Sequence, residues 1–565
     1  MKTLHWHLSF LAVLCLLVYA NSLAGALVWD DETQIVKNAT IRSPRNIPAA
    51  FTTPFWGFAA EGLENGSNFY RPIQTVLYTL GYSMGELSPT PYHAMSLAMH
   101  MLASIFVYLI GLQLLFPPRH ALLAAALFAV HPVHTEAVAW IAGLPDVTCG
   151  AFYLAALWAF LKGGPRWIAV SCLLYLGALF SKEMAVTLPL FVFLLSFRPG
   201  APPVSMTERL KSVAPFAAVT GVYLLMRGYA LGFLAKDHLT FQADAVDWIT
   251  LGIWAFGQYV WYALIPYPLN AFHLVPVRFE ERALATLLAL LLGLALAGAA
   301  WQFRKRFPEG WFWLAGFAVL LIPVFYFKGI SETLTAERYL YIPSFAAVLL
   351  AGAAIRASSR DVFWIGWGVV AVFAGLTMAR NPVWDGSERL YAETIASSPE
   401  VAHFQVNLSN IALLRGDDAG ARQHLERALQ SLEGDKYAYS ESERYRAEVG
   451  IGALDARLRK FTDARKHLER AMALDPQRDW AYLYLGGLSL EADADYPKAI
   501  ELFREAIRLG PLNEVARDYL GIALFNQGKF QEAADAFRQA LEINPGYQDA
   551  VAHLDMAAKK ITGRE

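Results

Sequence analysis

The stretch LSFLAVLCLLVYANSLAGALVWDDE, residues 8–32, decides the class of this chain. Residues 8–28 form an apolar run long enough to cross a bilayer, which takes about 20 residues. Three carboxylates, Asp30, Asp31 and Glu32, follow the run at once. Because neighbouring carboxylates disfavour one another's ionisation, at least one is expected to have a raised pKa and to accept a proton near neutrality. The alternative interpretation is the ordinary solvated flank of a membrane span.

The composition extends this picture to most of the chain. Of its 565 residues 56% are hydrophobic and only 17% charged, with a mean hydropathy of +0.34, which is too apolar for one soluble globule. From Asn381 onward acidic residues outnumber basic ones, and the earlier part has no strong basic excess, which argues against nucleic-acid binding. The cysteines, Cys15, Cys149 and Cys172, all lie in apolar stretches, so no disulfide framework is expected.

Apolar runs predict about eleven crossings. They fall near residues 8–28, 91–116, 119–140, 143–161, 166–181, 184–198, 208–230, 283–303, 311–329, 339–356 and 361–379. The first run could instead be a signal peptide cleaved near Ala24-Gly25-Ala26, but the many later runs favour an uncleaved span.

Basic residues between the runs set the orientation. If the N-terminus is cytoplasmic, one side receives Arg119, Lys162, Arg166, Arg198, Arg209, Lys211, Arg304, Lys305, Arg306, Arg356 and Arg360. Trp248–Leu269 fits a re-entrant or surface-lying segment better, because it carries Pro266 and Pro268. The odd number of crossings then places the C-terminal part outside, together with residues 29–90, 231–282 and 330–338.

After Asn381 the sequence repeats with a period of about 34 residues, typical of tetratricopeptide helix pairs. Small and large residues recur in the same slots of successive copies, in the order Ala421, Leu425, Ala428; Ala464, Leu468, Ala471; Ala499, Phe503, Ala506; and Ala533, Phe537, Ala540, with Pro545 closing the last copy. The sequence thus predicts an all-α protein, with a polytopic transmembrane helical domain at 1–380 and a soluble tetratricopeptide α-solenoid at 381–565. Such arrays usually present a groove for a peptide or a partner protein.

Polar residues at membrane depth are costly and commonly functional. The segment His131-Pro132-Val133-His134-Thr135-Glu136 ends one apolar run, and Asp146 follows it. A divalent cation is conceivable there, but two histidines three apart around a proline are a weak metal signal. Hydrogen bonding in the fold or in a substrate cavity is the favoured interpretation.

Cations lie at the outer ends of other runs, in Ser181-Lys182-Glu183 and in Thr335-Ala336-Glu337-Arg338-Tyr339. Each could be a simple ion pair with its neighbouring carboxylate. Together with Asp30 and Asp31 they supply what a transferase with a lipid-phosphate donor needs, a base for the acceptor and cations for the leaving phosphate. Since phosphate leaves as a stable anion, one base suffices and inversion is the expected outcome.

These motifs resemble the transmembrane and tetratricopeptide-repeat O-mannosyltransferases (TMTC) of the GT-C glycosyltransferase superfamily. The resemblance covers nearly the whole chain in the same order, in WDDE at Trp29, FYRP at Phe69, HPVHTEAVAWIAG at His131, KE at Lys182 and AERYLYIPS at Ala336. It implies a polyprenyl-phosphate sugar donor, a protein hydroxyl acceptor outside the membrane, and a catalytic acidic pair at Asp30 and Asp31. The chain departs from the family at Leu144-Pro145, where Arg-Ala is common, and at Met184-Ala185, and its short repeats look bacterial.

The sequence therefore predicts an inner-membrane glycosyltransferase with periplasmic repeats that transfers a mannose-like sugar to Ser or Thr of exported proteins. Asp30 is expected to be the base, Asp31 its helper, and Arg338 with Lys182 to bind the donor phosphate. The substrate cavity is expected to contain Arg71, His131, His134, Glu136, Asp146, Glu183 and Glu337. The alternatives are a lipid or glycan acceptor and a non-enzymatic membrane-anchored assembly scaffold.

Overall fold

The computed structural model describes residues 2–58, 68–114, 116–234, 244–326, 334–433, 440–544 and 546–563. Pro545 and parts of the stretches expected outside, 29–90, 231–282 and 330–338, are not among these described residues. About 79% of the structure is helical and the described residues contain no strand, so the expected all-α fold is confirmed. The chain divides into two compact units, one within residues 1–55 and 67–393 and one within 56–66 and 394–565.

The described residues of the first unit contain fourteen α-helices, some of which are joined by short 3₁₀ turns. They are α1 Lys2–Tyr19, α2 Pro72–Gly85, α3 Thr90–Gln113, α4 Pro118–Val130, α5 Thr135–Ala139, α6 Leu144–Lys162, α7 Pro165–Ser181, α8 Leu188–Leu195, α9 Met206–Leu231, α10 Ala245–Leu264, α11 Phe279–Gln302, α12 Gly310–Leu321, α13 Pro343–Arg356 and α14 Arg360–Arg380. Proline stands in the first turn of many of them, where its missing N–H costs nothing.

Several helices fit a multi-pass membrane protein. Among the described residues six are long and apolar enough to cross a bilayer, or seven if α4 and α5 form one broken span. Shorter apolar helices lie at Pro165–Ser181, Glu183–Leu195, Gly310–Phe325 and Pro343–Arg356. The expected crossing count stays a prediction, because length alone does not decide whether a short helix spans the membrane.

The apolar run 119–140 is not one straight helix. α4 ends at Val130, and the backbone of His131 is extended. The helical segment that begins at Pro132 makes an angle of 47° with α4. Pro132 has no N–H to continue the helical ladder, which is the usual cause of a sharp break. The break brings α5 and the 3₁₀ turn Ile141–Gly143 into the interior, where nearly every residue from Pro132 to Asp146 is buried.

Helix α6 is the centre of the first unit. It packs against α3 and α7, and its residues from Leu144 to Cys149 are all buried. By contrast α11 exposes leucines along its length, including Leu284, Leu287 and Leu291, as a helix facing lipid does. Apolar side chains therefore cover both the interior and the outside of this unit.

The repeat region consists of helix pairs. After α15 Ser387–Ser397 come α16 Ala402–Leu414, α17 Asp418–Ser431, α18 Ser440–Arg457, α19 Phe461–Leu474, α20 Asp479–Glu491, α21 Tyr496–Leu509, α22 Glu514–Asn526, α23 Phe530–Ile543 and α24 Gln548–Thr562. The slots predicted from the period are buried in every copy, from Ala421 to Ala540. Three glycines have no room for a Cβ because a large side chain of the partner helix packs against each of them. The pairs are Gly452 with Leu468, Gly486 with Phe503, and Gly521 with Phe537.

Candidate active site

The two adjacent carboxylates after α1 differ in their surroundings. Asp31 is fully buried, and its Oδ2 and Oδ1 accept hydrogen bonds from the backbone N–H groups of Val28, at 2.9 Å, and Ala142, at 2.8 Å. Burial raises the pKa of the Asp31 carboxyl well above its usual range, and the two N–H donors only partly oppose it. Asp30 is partly exposed. Asp31 therefore ties the first loop to the turn after α5, and Asp30 is the accessible carboxylate.

Arg338 pairs with Glu136 across 202 residues of sequence. The Arg338 backbone N–H donates to Oε2 of Glu136 at 2.8 Å, and its guanidinium donates to Oε1. The Glu136 side chain is 1% exposed and that of Arg338 12%, so the pair lies almost wholly out of water. Such a pair fixes the position of the guanidinium.

Lys182 and Asp146 form a second buried pair. The Nζ atom of Lys182 lies 2.7 and 2.8 Å from the two carboxylate oxygens of Asp146. Lys182 follows the last turn of α7 and Asp146 stands in the first turn of α6. Tyr339 lies between this pair and the previous one, since its ring centre is 5.2 Å from both Nζ of Lys182 and Cζ of Arg338.

Arg71 completes the set. Its Nε and Nη2 atoms donate to the two oxygens of Glu183 at 3.2 and 2.7 Å, the bidentate geometry that arginine favours, and its Cζ lies 4.3 Å from the ring centre of Phe69. We call Arg71, Glu183, Lys182, Asp146, Arg338 and Glu136 the charge cluster. Three formal positive and three formal negative charges make it neutral. A cavity of about 10 Å³ beside Asp146, Lys182, Arg338 and Tyr339 holds about one water molecule.

The remaining expected cavity residues are bonded elsewhere in the fold. His131 accepts the Val133 N–H at Nδ1 and donates from Nε2 to the Ala263 carbonyl, which uses both ring nitrogens. Nε2 of His134 lies 2.8 Å from the hydroxyl of Ser344. Among the described residues no group of three or more His, Cys, Asp or Glu side chains is arranged to hold a metal ion.

Glu337 stands outside the charge cluster. Its carboxylate accepts from the guanidinium of Arg380 at 3.0 and 3.1 Å and from the backbone N–H of Asn270. Sequence reasoning did not include Arg380 among the site residues. Its position at the expected outer end of the last apolar run, where the positive-inside rule disfavours a cation, was the available signal.

Three tryptophans adjoin the acidic pair, and sequence reasoning missed their arrangement. Trp29 stacks on Trp140 with ring centres 5.2 Å apart and planes 14° apart, and Trp140 stacks on Trp384 at 5.3 Å and 22°. Cζ of Arg338 lies 5.5 Å from the centre of the Trp140 ring. Through these contacts Trp140 joins the acidic turn to the charge cluster.

An apolar groove of about 450 Å³ lies between α10, α11 and Phe325. Its walls are Ile249, Gly252, Ile253, Phe256, Ala289, Leu290, Gly293, Leu294 and Phe325. One turn beyond Phe256, the hydroxyl of Tyr259 is near the Ala336 N–H, at 3.4 Å. Helix α10 therefore carries the groove and also contacts the segment that holds Arg338.

Comparison with known proteins agrees with the resemblance found in the motifs. The tetratricopeptide repeat family matches residues 384–436, 451–514 and 487–548. Protein O-mannosyl-transferase TMTC3 of Mus musculus is 24% identical over 94% of this chain and 63% of its own length, and the Homo sapiens protein is 24% identical over 95% and 65%. Protein O-mannosyl-transferase Tmtc1 of Drosophila melanogaster is 34% identical over 31% of the chain and 21% of its own length.

The chain spans about 60–65% of the length of the first curated relatives it matches. The MamA structure is similar over 29% of this chain and 85% of its own, at 20% identity and a TM-score of 0.24. The chain is therefore similar along nearly all of its length to proteins named TMTC, and its C-terminal part has tetratricopeptide repeats.

Proposed function

We propose that this chain is a membrane glycosyltransferase that moves a mannose-like sugar from a polyprenyl-phosphate donor to Ser or Thr of an exported protein. The observation that carries the proposal is the difference between the two adjacent carboxylates. Asp30 is partly exposed, whereas Asp31 is buried and bonded to two backbone N–H groups that hold the turn. Homologues along 94–95% of the chain are named protein O-mannosyl-transferases, which supports sugar transfer to protein.

In the proposed reaction Asp30 takes the proton of the acceptor hydroxyl as its oxygen attacks the anomeric carbon of the donor sugar. The bond from that carbon to the phosphate oxygen breaks, and polyprenyl phosphate leaves with the electron pair. A single displacement inverts the anomeric configuration. Asp31 acts as the helper by fixing the turn that carries Asp30.

Arg338 and Lys182 are proposed to stabilise the phosphate charge. Glu136 and Asp146 hold both cations in place before any donor arrives. The cavity beside them has room for about one water molecule. A donor phosphate therefore has to displace a carboxylate from at least one cation, and we propose that Arg338, the more exposed of the two, is that cation.

The apolar groove supports a lipid-linked donor. Its volume lies in the range of ordinary ligand sites and its walls are apolar. We propose that it receives the prenyl chain, while α10 connects it through Tyr259 to the segment of Arg338. The repeats are proposed to bind the acceptor as an extended peptide outside the membrane, next to the inner (plasma) membrane of a bacterium.

The test is reconstitution of the full chain in vesicles with radiolabelled polyprenyl-phosphate mannose and a Ser/Thr-containing acceptor protein. The expected product carries mannose on a hydroxyl side chain with inverted anomeric configuration, and Asp30→Asn loses about 100-fold or more of the rate. Label found only on a lipid or a glycan would replace the protein acceptor. Absence of transfer by well-folded chain, with donors differing in sugar and prenyl length, would favour the scaffold.

A further inference from the structure

Trp29 has an unusual backbone. Its φ is +52°, and among the described residues only Glu86, Arg459 and Ala494 share a positive φ without being glycine. A residue with a bulky side chain is disfavoured in this left-handed region. It keeps such a backbone conformation only where several surrounding contacts hold it there. Since Trp29 directly precedes Asp30, this backbone sets the direction in which the Asp30 carboxylate leaves the chain.

The surroundings that hold Trp29 come from distant parts of the first unit. Its indole stacks on Trp140, which stacks on Trp384, and these two are only 3% and 1% exposed. Its backbone N–H donates to the Ser387 hydroxyl at 3.2 Å. The Trp140 indole N–H donates to the Val28 carbonyl at 3.3 Å. The residues on both sides of Asp30 are therefore both held in place, Trp29 by the stack and Asp31 by two backbone N–H groups.

Tryptophans near the ends of membrane spans commonly form an interfacial belt, with the indoles at headgroup level. That explanation does not fit Trp140 and Trp384, which are buried and have their faces against other indoles. A packing role alone would explain the stack. It would not explain why the stack ends on a residue in a disfavoured backbone conformation next to the accessible carboxylate.

We propose that Trp29 is a positioning residue for Asp30. The stack of Trp29, Trp140 and Trp384 holds the left-handed backbone at Trp29, and this backbone aims the Asp30 carboxylate at the acceptor hydroxyl. The inference rests on the proposed function, in which Asp30 is the base. It adds that the base is effective only while the stack is intact.

The decisive experiment is a double-mutant cycle on the full chain in vesicles. Trp29→Gly removes the indole and tolerates the same φ, and it is expected to lower kcat about 100-fold, as a small misplacement of a catalytic group does, with the donor KM little changed. In an Asp30→Asn background the same substitution is expected to cost almost nothing, because the basic group is already gone. Trp29→Phe, which keeps an aromatic ring on Trp140, is expected to retain most of the rate.

Glu86→Gly is the matched control, since Glu86 has the same φ at the end of α2 and lies outside the charge cluster. It should leave kcat unchanged. An equal loss from Trp29→Gly with and without the Asp30 carboxylate would show a purely structural role and overturn the inference. Normal kcat in Trp29→Gly would overturn it as well. If Trp29→Gly fails to fold, Trp384→Leu, which removes the last ring of the stack, takes its place in the same cycle and is expected to lower kcat only while the Asp30 carboxylate is present. Absence of transfer by wild-type protein would instead refute the proposed function.

Discussion

At the scale of single residues, the cations Lys182 and Arg338 of the charge cluster each pair with a carboxylate that is distant in the sequence. Lys182 pairs with Asp146 rather than with its neighbour Glu183, and Arg338 pairs with Glu136 rather than Glu337. Sequence neighbours next to each other in a turn do not face one another, and the real partners are 36 and 202 residues away. Motif reasoning could therefore predict that the cations and carboxylates belong to one region, but not which of them meet.

Arg338 gives the first prediction. If its guanidinium takes the donor phosphate, Arg338→Ala should weaken donor binding by about 2 to 5 kcal/mol, the cost of losing one side of a desolvated charge pair. Arg338→Lys should restore only part of it because the bidentate fork is lost. Donor affinity can be measured by titration of the full chain in detergent. Arg380→Ala is the control, since Arg380 also loses a buried glutamate partner but lies outside the charge cluster.

The outcome separates the two roles of such an arginine. Equal loss of thermal stability in both variants with unchanged donor affinity in Arg338→Ala would reassign Arg338 to a structural ion pair. Selective loss of donor affinity in Arg338→Ala would support phosphate binding.

The acidic pair gives a second prediction. Asp31→Asn keeps the size of the side chain but replaces one acceptor oxygen by an amide, which cannot accept the hydrogen bond of Val28 or Ala142. A buried N–H left without a partner costs about 1 to 3 kcal/mol, so the unfolding temperature of Asp31→Asn should fall. Asp30→Asn, at a partly exposed position, should stay within about 0.5 kcal/mol of wild type. Thermal unfolding of both variants in the same detergent compares them, and the reverse order would exchange the two roles.

At the scale of secondary-structure elements, periodicity predicted the repeats well because each copy repeats the same small and large residues at the helix contacts. The same reasoning did not predict the break at His131 and Pro132 within the run 119–140, because total hydrophobicity conceals it. It also could not predict the groove between α10 and α11, since small residues such as Gly252 and Gly293 in an apolar helix fit close packing equally well. Open space beside a glycine becomes visible only in three dimensions.

The groove gives a prediction with a control on the same helix. A Cβ at Gly293 or at Gly298 would meet no heavy atom within 4 Å, but only Gly293 lines the groove. Gly293→Leu should fill part of the groove and raise the KM for a polyprenyl-phosphate donor several-fold, whereas Gly298→Leu should not. Both changes gain helix propensity equally. Transfer from a soluble mannosyl phosphate should be the same in both variants, and a rise in KM for that donor too would contradict a prenyl site in the groove.

The repeat helices give a pH prediction. Burial alone would raise the pKa of Glu443 in α18, but Arg446 and His403 outweigh it and lower that pKa to about 2. A carboxyl with a depressed pKa in the folded state contributes stability above its unfolded pKa, and this contribution is lost as the pH falls from about 4.5 to 2. It amounts to roughly 3 kcal/mol of local stability.

Hydrogen exchange of α18 in the full chain, followed between pH 5 and pH 2.5 and corrected for the intrinsic exchange rate, measures this loss. Glu443→Gln should flatten the dependence. Glu505→Gln is the control, because Glu505 also pairs with an arginine but at an exposed position. An unchanged dependence in Glu443→Gln would show that other carboxylates dominate.

At the scale of the whole molecule, the two-part organisation is visible in the sequence as a change from apolar runs to a repeat. The sequence placed this change at 380, and α15, Ser387–Ser397, crosses the structural division at 393. Hydropathy does not resolve such a boundary, because the first helix after the last span is neither strongly apolar nor a full repeat. The number of crossings stays a prediction for a similar reason, since the four shorter apolar helices are near the length limit.

The topology gives the last prediction. Arg304, Lys305 and Arg306 are consecutive and exposed just after α11, whereas four of the cations on the expected outer side, Arg71, Lys182, Arg338 and Arg380, are held in ion pairs with carboxylates. A cluster of cations next to a span resists translocation, so residues 304–306 should stay cytoplasmic and the C-terminus should be exported. Phosphatase and fluorescent-protein fusions after Glu565 and in the 304–306 loop measure the two sides. A cytoplasmic C-terminus with an exported 304–306 loop would put the repeats, and with them any exported acceptor, on the wrong side of the membrane for the proposed transfer.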